Sequence, residues 1–102
     1  YRNFKPAYGG EVDIVCRDGD SLVFVEVKTR TSRAYGRPAD AVDEEKQYRV
    51  ARGGLEWLKM LDAPGILFRF DILEVTLLEG EVPEIELVRE AFYLPDGYAP
   101  PE

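Results

Sequence analysis

The chain has 102 residues, 45% of them hydrophobic and 12% aromatic, enough to bury one core and too apolar for a disordered segment. A single cysteine and the absence of histidine exclude an internal disulfide and the Ser-His and Cys-His nucleophile pairs, and argue against a zinc site. The net charge of −7 would disfavour a nucleic-acid partner if it were spread evenly, but residues 79–102 hold seven acids against Arg89, while residues 1–78 hold 13 acids and 12 bases. No apolar run approaches a membrane span and no leader pattern is legible, so a soluble, cytoplasmic protein without a membrane partner is expected.

In chain order, Tyr1–Phe4 reads as a short strand and Lys5–Gly10 as a loop. Two runs rich in β-branched and aromatic residues follow, Gly10–Arg17 and Ser21–Lys28, on either side of Asp18-Gly19-Asp20. This is a hairpin pattern. A two-residue turn at Asp18-Gly19 or at Gly19-Asp20 puts Asp13 and Glu26 on one face, and the second choice sets them directly opposite, about 4.5–5.5 Å apart at Cβ. A three-residue turn without a bulge would separate them. Cys16, inside the first strand, is expected to pack in the core.

Carboxylates facing each other suit Mg²⁺ or Mn²⁺, hard cations that take oxygen ligands. Lys28 stands two residues past Glu26, about 6.5 Å along the same face. There it can meet a metal-bound phosphate or lower the pKa of a water nucleophile. The competing reading is a half-solvated sheet face with cross-strand ion pairs of about 0.2–1 kcal/mol each.

Thr29–Arg37 reads as a polar loop in which Arg30, Arg33 and Arg37 are unaccompanied by acids. It is either a phosphate-contacting flank or an ordinary solvated loop, with Tyr35 pinning it or stacking on a base. Asp43 is a candidate N-cap, followed by a helix over Glu44–Leu61 with Glu44 and Glu45 in its first turn. Its apolar stripe is Val50, Ala51, Gly54, Leu55, Trp57, Leu58 and Leu61. Lys46, Arg49 and Arg52 form a basic row, the N-terminal end of which can reach the cleft. Asp62–Gly65 stops the helix, Ile66–Leu78 is a long strand containing Asp71, and Glu79–Glu81 turns the chain into an edge strand at Ile85–Val88. Residues 1–94 make a single domain and 95–102 an irregular tail.

A hairpin followed by strand, helix and strand implies an α/β (α+β) fold with a mixed sheet, because the crossover helix returns the last long strand parallel to its predecessor. One main helix covers one sheet face. The other face then calls for a homodimer partner or a further covering segment.

The ordered set Gly10-Glu11-Val12-Asp13, then Phe24-Val25-Glu26-Val27-Lys28-Thr29-Arg30, with Tyr35-Gly36-Arg37-Pro38, Lys46 and Phe70-Asp71, resembles the YraN-like family of small bacterial proteins. That family is itself similar to the PD-(D/E)xK restriction-endonuclease-like and Holliday-junction-resolvase-like nucleases. The resemblance implies a restriction-endonuclease-like domain, with Asp13 and Glu26 as metal ligands, Lys28 as the catalytic lysine and Glu11 as a further site acid. Arg30, Arg33, Arg37 and Lys46 are the expected nucleic-acid contacts, and Mg²⁺ or Mn²⁺ the expected cofactor. It also implies an N-terminal helix with another acidic residue, which would end before Tyr1. The function expected is a metal-dependent nuclease acting on DNA, with branched or flapped forms as candidates. The alternatives are a catalytically silent nucleic-acid-binding module of the same fold and a structural or partner-binding protein.

Overall fold

The structure is a computed structural model that describes residues 1–7, 9–31, 44–62 and 65–94. Its elements are β1 (Arg2–Phe4), β2 (Val12–Asp18), β3 (Ser21–Arg30), α1 (Glu44–Leu61), β4 (Leu67–Thr76) and β5 (Glu84–Phe92). The strands form one five-stranded mixed sheet in the order β1-β2-β3-β4-β5. β3 and β4 are parallel, joined through α1, and every other pair is antiparallel. This is the α+β arrangement that the hairpin-helix-strand pattern predicts, and it is consistent with a restriction-endonuclease-like architecture. The Asp43 cap and residues 95–102 lie outside the described residues.

The β2–β3 hairpin closes through Gly19-Asp20, with Asp18 paired to Ser21. Gly19 has φ +61 and Asp20 does not share the positive φ, the pattern of a type II′ turn with glycine first. Of the two candidate turns, this is the one whose register aims Asp13 at Glu26. β3 runs on to Arg30, so Thr29 and Arg30 belong to the strand and not to the loop expected after Lys28.

Alternation puts Leu22, Phe24, Glu26 and Lys28 on one face of β3, with Phe68, Phe70, Ile72 and Glu74 beside them on β4. α1 lies on this face. Val50, Ala51, Leu55 and Leu58 pack with Val15, Leu22, Phe24, Phe70 and Ile72 to make the core. Trp57 is half-buried and meets Phe4 edge-on at 5.0 Å, so it closes the β1 end of the core, while Leu61 is exposed.

Glycines let the helix approach closely. A Cβ on Gly54 would stand 3.0 Å from the Phe24 ring, and one on Gly10 would stand 2.4 Å from the Gly53 nitrogen. The Glu11 N–H donates to the Arg49 carbonyl at 3.1 Å, fastening the start of β2 to the middle of α1. Val12 and Val15, three residues apart, both enter the core, so the strict alternation of β2 breaks at Asp13-Ile14.

The opposite face carries Val23 and Val25, both buried, and Leu73, Val75, Ile85 and Leu87 toward β5. Cys16 also lies outside the core. It is exposed, contrary to the expected burial, because it lies on the face away from α1 and past the end of the β1 pairing at Arg2–Ile14. Along β4 and β5 the register shifts between Phe70 and Ile72, and Glu90 takes φ +49 at the irregularity. Asp71, fully buried, accepts the Glu90 N–H at 2.9 Å and the Arg69 Nε–H at 3.1 Å. Arg69 and Arg89 both reach Asp18, at 3.0 and 2.6 Å. Asp71 thus has an arginine partner, and its register partner Val25 places it on the face away from Glu26.

Candidate active site

The hairpin ladder ends at Ile14–Val25, one step short of Asp13 and Glu26. At this point the Asp13 side chain replaces a ladder contact: its Oδ2 accepts the Val27 N–H at 2.9 Å. That bond satisfies a strand donor where β2 turns toward the helix, and it fixes the carboxylate beside β3.

Glu26 is buried on the helix-covered face. Burial, the Asp13 charge, a hydrogen bond with Asp13 and the more distant Glu11 charge push its carboxyl group up to about 7 against the pull of Lys46. Glu26 is therefore reluctant to ionise beside Asp13 near neutral pH.

Three other expected residues stand around this pair. Glu11 lies 3.7 Å from Arg49 and 3.9 Å from Lys5, in exposed ion pairs of little energetic weight. Lys46, in the first turn of α1, is half-buried and acts electrostatically on Glu26. Lys28 is half-buried on the Glu26 face, and among the described residues its ammonium makes no hydrogen bond or ion pair.

Arg30 is placed otherwise than in the open, acid-free flank expected. Its side chain is 10% exposed, and Nε lies 2.6 Å from Glu74 Oε2. Arg33 and Arg37 lie outside the described residues. Glu74 itself went unnoticed in the sequence, although its parity with Phe68, Phe70 and Ile72 puts a carboxylate on the buried face and was readable there.

Among the described residues no three acidic, cysteine or histidine side chains converge on one point. A donor set of two carboxylates fits a hard divalent cation that retains several waters and shares substrate phosphate oxygens, as Mg²⁺ does. It does not fit a structural zinc centre. A separate cavity of about 340 Å³, lined by Phe68, Arg69, Phe70, Glu90, Phe92, Tyr93 and Leu94, touches none of these residues. Among the described residues no helix is long and apolar enough to cross a membrane.

Comparison with known proteins gives the ancestry of this arrangement. The profile of a family described as "Uncharacterised protein family UPF0102" matches residues 1–75. The chain belongs to the UPF0102 family. It is 46% identical over 93 residues to a UPF0102 protein of Geobacter sulfurreducens, covering 91% of this chain and 72% of that one. A UPF0102 protein of Rhodococcus opacus is 45% identical over 91 residues, covering 89% of this chain and 76% of its own. The family match spans β1 through most of β4, and so includes Glu11, Asp13, Glu26, Lys28 and Lys46.

Proposed function

We propose that this UPF0102 protein is a divalent-metal-dependent nuclease that hydrolyses phosphodiester bonds in DNA, with branched or flapped forms as its substrates. The observation that supports this reading is the Asp13 carboxylate, held by the Val27 N–H beside the buried Glu26, with the uncommitted Lys28 ammonium on the Glu26 face. Proximity of two carboxylates in a partly dry site is costly for stability and useful for capturing a dication.

Asp13 and Glu26 would hold Mg²⁺ or Mn²⁺. Such a cation supplies a polarised phosphoryl oxygen and a water of lowered pKa. The Val27 amide keeps the Asp13 carboxylate oriented, which would favour metal capture. Lys46 balances the negative charge once both carboxylates ionise. Lys28 faces the developing charge on the phosphoryl group, where a fixed ammonium counts most in a site shielded from water. Arg33 and Arg37, which follow β3 in the sequence, would add backbone phosphate contacts that carry no sequence information.

The test is incubation of the full-length protein with duplex, single-stranded, flapped and four-way DNA in Mg²⁺ or Mn²⁺. Metal-dependent cutting of one of these forms supports the reading. Salt-sensitive binding without cutting of any form makes the protein a nucleic-acid-binding module instead.

A further inference from the structure

The buried pair at the end of β3 bears on how Lys28 stays available. Glu74 and Lys28 are Cα partners across the parallel β3–β4 ladder. Their side chains rise from the same face on strands about 4.8 Å apart, within reach of a lysine's four-carbon stem. Glu74 is 8% exposed, and its fully buried Oε2 depends on a cation beside it. A buried carboxylate in that condition draws in any cation that can reach it.

Two cations flank Glu74, Lys28 directly across the ladder and Arg30 two residues further along β3. Arg30 occupies the position, at 2.6 Å, and Lys28 pairs with nothing among the described residues. We propose that Arg30 is a positioning residue: by neutralising Glu74 it keeps that carboxylate from capturing Lys28, so the ammonium remains free to meet a phosphate. Arg30 then acts on the site through Glu74, not by touching nucleic acid. The value of a free Lys28 rests on the nuclease reading, whereas the competition between the two cations does not.

The experiment compares full-length wild type with Arg30→Gln and with Arg30→Gln/Glu74→Gln. In a crystal structure of Arg30→Gln, the Lys28 Nζ should lie within about 4 Å of the Glu74 carboxylate. Metal-free DNA binding by that variant should lose about one unit of salt slope, and cleavage should fall on the order of 10²-fold. Removing the carboxylate as well should restore both, with cleavage within about threefold of wild type.

A Lys28 that stays away from Glu74 in Arg30→Gln overturns the proposal. So does a folded double variant that remains as impaired as Arg30→Gln, since Arg30 would then contact the substrate itself. Should Arg30→Gln fail to fold around its lone buried charge, the double variant alone decides, because its recovery or loss is read against wild type. If wild type neither binds nor cuts DNA, the nuclease reading fails, and the Nζ-to-carboxylate distance still settles the competition.

Discussion

Asp13 and Glu26 meet across β2 and β3, and one Asp13 oxygen is already committed to the Val27 N–H at 2.9 Å. The backbone bond holds the aspartate in place, and burial on the helix-covered face makes the glutamate reluctant to ionise beside it. Metal capture, pH response and stability are consequently linked at one pair.

Mn²⁺ binding needs the ionised form of Glu26, whose carboxyl is pushed up to about 7. Affinity should rise about tenfold per pH unit below about 7 and level off above it. Titration calorimetry between pH 5.5 and 8.5, an interval of about three units around the midpoint, reads this directly. Stability moves the other way in chelator. The folded-state value of Glu26 lies above the ordinary 4.5, so its favourable contribution is complete below that value and is lost as pH rises through about 7. Metal-free wild type should therefore melt lower at high pH than at low pH relative to Glu26→Gln, measured by thermal denaturation in chelator.

Asp13 does two jobs that substitution separates. Asn keeps an oxygen to accept the Val27 N–H and loses the charge, so Asp13→Asn should weaken Mn²⁺ binding with little change in stability. Asp13→Ala should weaken it equally and also destabilise the fold by about 1–3 kcal/mol, the cost of an unsatisfied strand amide. Urea denaturation of the two variants distinguishes the roles.

The helix reaches the site through backbone contact at Gly10, where φ is +89 and a Cβ would fall 2.4 Å from the Gly53 nitrogen. Gly10→Ala should cost at least about 2 kcal/mol, from the strained φ and the forced separation together. Since Glu11 and Asp13 follow immediately, Mn²⁺ affinity should drop in the folded fraction. Unchanged affinity in a destabilised variant would detach the helix contact from the site geometry.

Asp71 serves the fold on the face away from Glu26. Asp71→Ala removes the acceptor of the Glu90 N–H and one of the two carboxylates that balance Arg69. The expected loss is about 3–5 kcal/mol in urea denaturation, with Mn²⁺ affinity of the folded protein unchanged.

Much of this arrangement was legible in the chain. The Asp18-Gly19-Asp20 signal between two β-branched runs gave the hairpin, and its two-residue turn set the register that aims Asp13 at Glu26. The helix limits match because charge and apolar spacing agree over Glu44–Leu61. Less was readable wherever a side chain substitutes for backbone pairing. Asp13 on Val27 and Asp71 on Glu90 are long-range bonds that no local periodicity announces. Cys16 was misplaced for a related reason: its strand is flanked by sheet neighbours on both sides, but only one face meets α1. Arg30 resembled a loop cation because the strand's true end lies beyond Lys28, and its carboxylate partner sits 44 positions away in sequence.

The central claim is tested most directly by Lys28→Ala in the full-length protein, with Mn²⁺ affinity and DNA cleavage measured on the same sample. Both carboxylates remain in this variant, so metal affinity should stay close to that of wild type while cleavage falls by about 10² or more. Cleavage by Lys28→Ala at the wild-type rate, or a metal-loaded wild type that leaves duplex, single-stranded, flapped and four-way DNA all intact, would contradict it.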